Sequence, residues 1–285
     1  MIIVLTGPTG TGKSELAIRL AKEIGGVIVN ADAFQVYEEL SIATAKPTPE
    51  MMMEVPHFLF DFVPLTSSYS VAEYQQDLRS AIATIGERPI ILAGGTGLYI
   101  RAGLFDYEFP EEEEVDLRQY EAMDEESLYQ AAKRLDEAEA LSIHPNNRVR
   151  LLRLIKMALS GKKKSDIKSS QDHRPIFDCH FFGLQIDRDE NYSRVDERVD
   201  RMFAMGLVDE VSSLVGRYGR TPSAFKAIGV KELFPYFDGQ ISLQQAKDEI
   251  KKNTRHYVKR QLTFFRHQFD LTWVEGMDDI LRCLQ

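Results

Sequence analysis

The chain has 285 residues, of which 44% are hydrophobic and 28% are charged. This is the composition of an ordinary globular protein, and it excludes collagen-like, mucin-like and largely disordered chains. The length predicts one large domain or two coupled domains. The net charge of −9, taken over the whole chain, argues against a general polyanion binder.

Two cysteines, Cys179 and Cys283, are too few for a disulfide framework or a four-thiolate zinc site. The N-terminus has no basic leader, and no apolar run approaches the ~20 residues that span a bilayer. We therefore expect a cytoplasmic protein without a membrane segment.

Short apolar runs predict the strands of the core. In chain order they cover 2–6, 27–30, 89–93, 181–186 and 271–274. A helix is predicted over Ser14–Glu23, where small and apolar residues recur at helical spacing. Strands separated by helices indicate an α/β fold with a parallel sheet, whose ligand site lies at the carboxyl ends of the strands.

Long helical patterns interrupt this core. We predict core segments at 1–110, 145–187 and 250–285, a helical insertion at 111–144 and a helical accessory region at 188–249. Residues 106–126 hold eleven acidic residues, including the run from Glu111 to Glu114, and a single base.

A phosphate-binding loop is predicted directly after the first strand and before the first helix. It fits the pattern G-x-x-x-x-G-K-[ST] and consists of Gly7, Pro8, Thr9, Gly10, Thr11, Gly12, Lys13 and Ser14. Such a loop turns backbone N–H groups towards phosphate oxygens at a helix N-terminus. Lys13 is expected to neutralise the distal phosphate, and Ser14 to ligate Mg²⁺. The core is thus predicted to be P-loop NTPase-like, resembling nucleotide kinases.

The third predicted strand ends in Gly94-Gly95-Thr96-Gly97, where an ordinary P-loop NTPase has an acidic residue. Asp32 follows the second strand and is predicted as either a general base or a helix N-cap; its position leaves both open. Thr96 and Arg101 open a predicted helix where a hydroxyl could meet an anion, although Thr96 could be only an N-cap. Lys46, before Pro47, lies in a predicted loop.

Basic residues cluster despite the negative net charge. Residues 251–267 carry six lysines and arginines and no acid, and residues 148–168, ending at Lys168, carry eight against one acid. Phosphate contacts need a basic surface rather than a basic protein. The alternative for both clusters is a solvated helix face or loop.

Arginines also recur over 187–202, interleaved with acids, which favours a solvated, salt-bridged helix face for most of them. Arg194 and Arg198 remain alternative diphosphate ligands.

Motifs along nearly the whole chain resemble those of the bacterial tRNA dimethylallyltransferase (tRNA isopentenyltransferase, IPP transferase) family. Besides the phosphate loop they cover 30–35, 42–47, 55–57, 94–99, 143–147, 227–232 and 254–266. The chain departs from the usual family pattern at Ala33, Val230 and Phe264, and in Leu154-Ile155-Lys156.

The resemblance implies transfer of a dimethylallyl group from dimethylallyl diphosphate to N6 of adenosine 37 in tRNAs that read codons starting with U. It implies Mg²⁺ as cofactor and catalytic roles for Asp32 as general base, Thr96 beside the reacting nucleotide, and Lys13 at the diphosphate. The positions it implies for tRNA contact are Asp32, Ala33, Phe34, Gln35, Thr96, Arg118, Arg150 and Arg153. The expected partners are the tRNA anticodon stem-loop and the prenyl donor, with a monomeric protein and no membrane.

Adenosine 37 is stacked in the anticodon loop, so reaching its amine requires extrusion of the base. Phe34, Tyr37 and Tyr99 are candidates to stack on it, although such residues more often belong to the core. Three alternatives to tRNA modification stay open: a small-molecule kinase, an adenylate isopentenyltransferase acting on a free nucleotide, and a nucleotide-dependent binding module.

Overall fold

The computed structural model of the chain describes residues 1–109, 115–166 and 174–285. The run from Glu111 to Glu114 and the basic residue Lys168 lie outside these residues. Two compact units are present, the first formed by Met1–Leu104 with Phe177–Gln285 and the second by Phe105–Ile176.

The first unit contains a six-stranded sheet with the order β3-β2-β4-β1-β5-β6, in which every neighbouring pair is parallel. The strands are β1 (Ile2–Thr6), β2 (Val27–Asn30), β3 (His57–Phe58), β4 (Ile90–Ala93), β5 (Cys179–Leu184) and β6 (Thr272–Val274). The predicted α/β class with a parallel sheet is confirmed.

Helices connect and cover the strands of this unit. Before the second unit these are α1 (Lys13–Ile24), α2 (Pro49–Glu54), α3 (Val71–Ile85) and α4 (Gly97–Leu104). The second unit contributes α5 (Arg118–Glu121), α6 (Glu125–Leu135), α7 (Glu137–Ala140) and α8 (Arg148–Leu159). The first unit then continues with α9 (Arg188–Ala204), α10 (Leu207–Tyr218), α11 (Phe234–Phe237), α12 (Leu243–Gln268) and α13 (Met277–Leu284).

Helix α1 forms because its apolar residues share one face and its ends fall at glycines. Leu16 and Leu20 are buried against Ile3 and Phe182 of the sheet. Burial of each such side chain contributes about 1.5–3 kcal/mol. The helix ends at Gly25, whose φ of +66° glycine adopts without strain. At its other end α1 begins after Gly12, so its first turn directly follows the loop after β1.

The predicted strands match the structure closely in β1, β2, β4 and β6. The strand predicted at 181–186 begins two residues earlier, because Cys179 pairs with Ile2 at the start of β1. The two-residue strand β3 pairs with β2 and was not predicted.

The second unit has its own apolar core. Leu128 and Ala132 of α6 pack with Leu151 and Ile155 of α8. The predicted insertion at 111–144 falls within the second unit, Phe105–Ile176, in which the apolar face of α8 packs on α6. The boundaries of the predicted segments stay a prediction. In the described part of the chain no helix has the length and apolar character needed to cross a membrane.

Candidate active site at the carboxyl ends of the strands

A cavity of about 620 Å³ opens in the first unit beside the phosphate loop. Its walls come from this loop, the turns after β2 and β4, the 41–47 loop and helix α9. Ligands of parallel α/β proteins bind at this edge of the sheet, so the position agrees with the sequence-based expectation.

The phosphate loop holds its curvature through three glycines with positive φ. Gly7, Gly10 and Gly12 have φ values of +147°, +91° and +80°, which side-chain-bearing residues rarely adopt. The amine of Lys13 folds over the loop and donates to the carbonyl oxygens of Gly7 at 2.8 Å and Pro8 at 2.7 Å. The loop and the start of α1 thus present N–H groups and one ammonium to the cavity.

The electrostatics of the cavity favour an anion. Burial and, to a smaller extent, the nearby Arg198 lower the pKa of Lys13 to about 7, and Asp32 opposes both. Burial also holds the pKa of Arg198 below its usual range, again opposed by Asp32. Arg198 and Lys13 thus share a partly buried site with one carboxylate, and a bound diphosphate would be stabilised by Arg198 and by the protonated form of Lys13.

Helix α9 supplies a wall of arginines. Arg194, Arg198 and Arg201 all line the cavity. Arg194 pairs with Glu190 at 2.6 Å and Arg201 approaches Glu197 at 3.8 Å, as expected for a salt-bridged helix face. The salt-bridged face is therefore present, and a role of Arg194 and Arg198 as diphosphate ligands stays a prediction.

Asp32 lies in a tight turn rather than at the start of a helix. Its Oδ1 accepts from the N–H of Phe34 at 2.9 Å, and its own N–H donates to Asn30 Oδ1 at 2.8 Å. The N-cap alternative is wrong, because residues 33–36 form turns and no helix begins there. The turn directs the Asp32 carboxylate into the cavity, where it faces Lys13.

Thr96 ties the turn after β4 to the Asp32 turn. Its Oγ1 accepts from the N–H of Ala33 at 3.0 Å, and its N–H donates to the carbonyl of Ala31 at 3.0 Å. Tyr257 of α12 also hydrogen-bonds with the Thr96 side chain, and its pKa is raised to about 12 by burial first and Asp32 second. The structure thus brings Thr96 and Asp32 together at one point.

Two buried amides that the sequence analysis did not single out hold the phosphate loop. Gln261 accepts from the Thr9 N–H at 3.0 Å and donates to the Gly95 carbonyl at 3.0 Å. Asn191 donates to the Thr9 carbonyl at 3.0 Å. Gln261 falls in the motif at 254–266, which was a usable signal; nothing in the local sequence marks Asn191.

The remaining predicted tRNA-contact residues divide between the two units. In the first, Ala33 and Phe34 are half-buried and Gln35 donates to the carbonyl oxygens of Thr44 and Ala45. In the second, the Arg118 side chain is 87% exposed and pairs with Asp116, while Arg150 and Arg153 are exposed on α8. Their contact with tRNA stays a prediction.

The aromatic candidates for base stacking differ in exposure. Tyr37 and Tyr99 are each only 4% exposed, and Tyr99 stacks on Tyr74 with ring centroids 3.9 Å apart. Both belong to the core, so neither presents a free face to a base. Only Phe34 among the three retains partial exposure.

The basic segment at 251–267 lies on α12, where ion pairs neutralise part of its charge. Lys251 binds Asp200 at 2.8 Å, and Arg255 binds Asp196 at 2.6 Å. Lys259 and Arg260 are exposed in the following turn. The segment is therefore partly a salt-bridged face, as the alternative stated, and partly an open cationic surface.

The site fits Mg²⁺ only as a partner of a bound phosphate. The described residues contain no group of three His, Cys, Asp or Glu that could hold a metal ion. Ser14 and Asp32 nevertheless line the same cavity. Mg²⁺ is commonly held by one or two protein oxygens together with phosphate oxygens and water, and this donor set matches.

A family model described as IPP transferase matches residues 35–268. The chain belongs to the IPP transferase family. A relative named tRNA dimethylallyltransferase in Geobacillus thermodenitrificans is 42% identical, with 97% of this chain and 91% of the relative covered. One of the same name in Geobacter sulfurreducens is also 42% identical, with 96% and 91% covered.

Solved structures of the family have the same fold. A tRNA delta(2)-isopentenylpyrophosphate transferase from Staphylococcus epidermidis superposes with a TM-score of 0.74 at 35% identity, covering 99% of this chain and 98% of that one. A eukaryotic dimethylallyltransferase acting on tRNA gives a TM-score of 0.83 at 27% identity, covering 95% and 73%.

Proposed function

We propose that this protein is a tRNA prenyltransferase. It transfers the dimethylallyl group of dimethylallyl diphosphate to N6 of adenosine 37, beside the anticodon, in tRNAs that read codons starting with U. The observation that carries the proposal is one cavity in which a phosphate loop and Arg198 face Asp32, in a chain 42% identical to a tRNA dimethylallyltransferase. The tRNA substrate supports a cytoplasmic location, and we propose that the protein acts as a monomer.

The phosphate loop serves the leaving group. As the bond between C1 of the dimethylallyl group and the diphosphate oxygen breaks, the electron pair goes to that oxygen. Loop N–H groups, Lys13 and Arg198 stabilise the charge that develops there. The allylic carbon tolerates cationic character, which eases departure of the diphosphate. Mg²⁺, held by Ser14 together with the diphosphate, would supply further charge neutralisation.

Asp32 serves the nucleophile. The lone pair of adenine N6 is delocalised into the ring, so the amine attacks C1 effectively only when it is well positioned and loses a proton. Asp32 lines the same cavity as the cations and takes that proton. Thr96, bonded to the Ala33 N–H next to Asp32, keeps the general base and the nucleotide in register.

A transfer assay separates this function from its alternatives. Purified protein is incubated with Mg²⁺, prenyl-labelled dimethylallyl diphosphate and either unmodified tRNA or AMP. We expect label in tRNA and none in AMP, because the exposed cations of α12 have no role with a free nucleotide. Label in AMP alone would indicate an adenylate isopentenyltransferase, and ATP consumption with phosphorylation of a small molecule would indicate a kinase.

Asp32→Asn tests the general base. The variant retains an oxygen that can accept from the Phe34 N–H, so the turn should persist. We expect kcat to fall by about 10²–10⁴-fold, the usual contribution of general acid–base catalysis. Donor affinity should be unchanged or tighter, because an anion is removed beside the diphosphate site. Isothermal titration and single-turnover kinetics measure the two quantities, and an unchanged kcat would remove Asp32 from this role.

A further inference from the structure

Glu210 on α10 binds three consecutive backbone N–H groups of the 41–47 loop. Its Oε2 accepts from Ser41 at 2.9 Å and from Ile42 at 2.8 Å, and its Oε1 accepts from Ala43 at 2.9 Å. Charge-assisted hydrogen bonds of this length are roughly twice as strong as neutral ones. The carboxylate fills a concave nest of N–H groups of the kind that binds anions.

The loop that Glu210 holds is part of the cavity wall. From this loop, Ser41, Ile42, Ala45, Lys46 and Pro47 line the cavity. Ala45 has a φ of +48°, which is unfavourable for a residue with a side chain and persists only where surrounding contacts impose it. Gln35 supplies two such contacts, to the carbonyl oxygens of Thr44 and Ala45, and Glu210 supplies three.

Glu210 also connects this loop to the arginine wall. Its helix, α10, follows α9 after Gly206, and α9 carries Arg198 into the cavity. At the other end of α10, Arg217 binds Glu39 at 2.6 Å and Tyr218 donates to it at 2.8 Å. The segment before the loop and the loop itself are therefore both fastened to α10, most directly by Glu210.

We propose that Glu210 is a positioning residue for the prenyl donor. By binding the N–H groups of Ser41, Ile42 and Ala43, it holds the 41–47 loop at a fixed distance from Arg198 and so sets the width of the diphosphate site. The inference rests on the proposed function in one respect, that the anion in the cavity is the donor's diphosphate. Glu210 is absent from the residues that line the cavity, so it acts through the loop.

The test compares Glu210→Gln with Asp209→Asn, which removes the same charge from the exposed neighbouring residue. Dimethylallyl diphosphate and inorganic diphosphate are each titrated calorimetrically without tRNA. We expect the Kd of both to rise about tenfold in Glu210→Gln, because a neutral amide cannot replace the charge-assisted bonds, and to stay unchanged in Asp209→Asn. The donor KM should rise by the same factor, while the tRNA KM and kcat at saturating donor stay within about twofold.

Hydrogen exchange provides the structural readout. The amides of Ser41, Ile42 and Ala43 should lose protection in Glu210→Gln and keep it in Asp209→Asn. Glu210→Asp, which keeps the charge on a shorter side chain, should bind the donor with intermediate affinity and serves if Glu210→Gln fails to fold. Wild-type Kd values in Glu210→Gln, or in Glu210→Asp where that variant is used, would overturn the proposal.

The two proposals fail in different ways. A wild-type protein that binds diphosphate in a Glu210-dependent manner but transfers no label to tRNA would contradict the proposed function and leave Glu210 as a positioning residue. Transfer of label to tRNA together with a donor Kd that does not depend on Glu210 would support the proposed function and contradict the positioning role of Glu210.

Discussion

Lys13 is held in an environment that suits its neutral form until an anion arrives. Its amine is partly buried, donates to two carbonyl oxygens of the loop and lies near Arg198. Desolvation and the neighbouring cation disfavour the ammonium, so its pKa falls to about 7. A diphosphate bound at the loop reverses this balance, because it places negative charge beside the same amine.

This shift predicts proton uptake when the donor binds. At pH 8 the Lys13 amine of the free protein is mostly neutral, and the bound diphosphate raises its pKa, so close to one proton should be taken up per donor. Below about pH 6 Lys13 is already protonated and contributes no uptake. The contribution of Lys13 to donor affinity should accordingly be fully present below pH 7. It should be lost as the pH rises from 7 to the raised pKa that Lys13 has in the donor complex.

Calorimetry in two buffers of different ionisation enthalpy measures the uptake. At pH 8 the donor's phosphates are already ionised, since such groups have pKa values of about 6. Lys13→Met provides the control and should bind more weakly, without Lys13-linked uptake. Equal heats in both buffers for the wild type at pH 8 would show that Lys13 is already protonated and contradict the expectation.

At the scale of elements, the sheet edge depends on a close approach between two turns. A Cβ on Gly94 would lie 2.2 Å from the carbonyl carbon and oxygen of Ala31. Ala31 follows β2 and Gly94 follows β4. Because the atoms that the Cβ would meet are backbone atoms, a side-chain rotation cannot relieve the clash. The same turns carry Asp32 and Thr96, which means that glycine here sets the spacing of the proposed catalytic groups.

Gly94→Ala and Gly216→Ala should have opposite effects on stability. Gly94→Ala should lower the free energy of unfolding by about 3 kcal/mol or more, because the backbone must move. Gly216 lies within α10 with nothing within 4 Å of an added Cβ, so Gly216→Ala should raise it by about 0.5–1 kcal/mol. Urea denaturation measures both, and equal stability of the two variants would contradict the close approach.

Elements were predictable where a local pattern was long enough. Strand β1 shows five buried residues in a row before the loop, whereas β3 has only His57 and Phe58, too few to reveal a period. Helix α8 was recognisable from its spacing, but an amphipathic pattern does not state which core the apolar face joins. Its packing on α6 therefore became visible only in three dimensions.

At the scale of the whole molecule, the unpredicted parts of the site come from distant contacts. The bonds of Thr9 with Gln261 and Asn191 join residues 252 and 182 positions apart, and Glu210 reaches Ser41 across 169. Sequence reasoning located the phosphate loop, Asp32 and Thr96, since each follows a strand whose end is known to face the ligand edge. It could not locate groups whose role is to hold these segments from another helix.

Charge is likewise a property that must be read from the folded chain. The net charge of −9 would disfavour a polyanion, yet α12 carries exposed cations. Acids of α9 neutralise Lys251 and Arg255, and Glu249 pairs with Lys252 at 3.1 Å. Ion pairs therefore neutralise some of the six basic residues counted in the sequence, and Lys259 and Arg260 are among the exposed cations of α12 that tRNA phosphates can reach.

This distribution predicts a steep, localised salt dependence of tRNA binding. The logarithm of the association constant should fall linearly with the logarithm of salt concentration, with a slope of about −0.7 to −0.9 per phosphate contacted. Arg260→Gln should make the slope less steep by about one contact and weaken binding to all tRNAs alike. Lys252→Gln is the matched control on the same helix and should change the slope little, because Lys252 is already paired with Glu249.

Filter binding between about 50 and 200 mM salt measures the slopes. Equal effects of the two substitutions would mean that the ion pairs of α12 open on binding, and no effect of Arg260→Gln would mean that this turn does not face the tRNA.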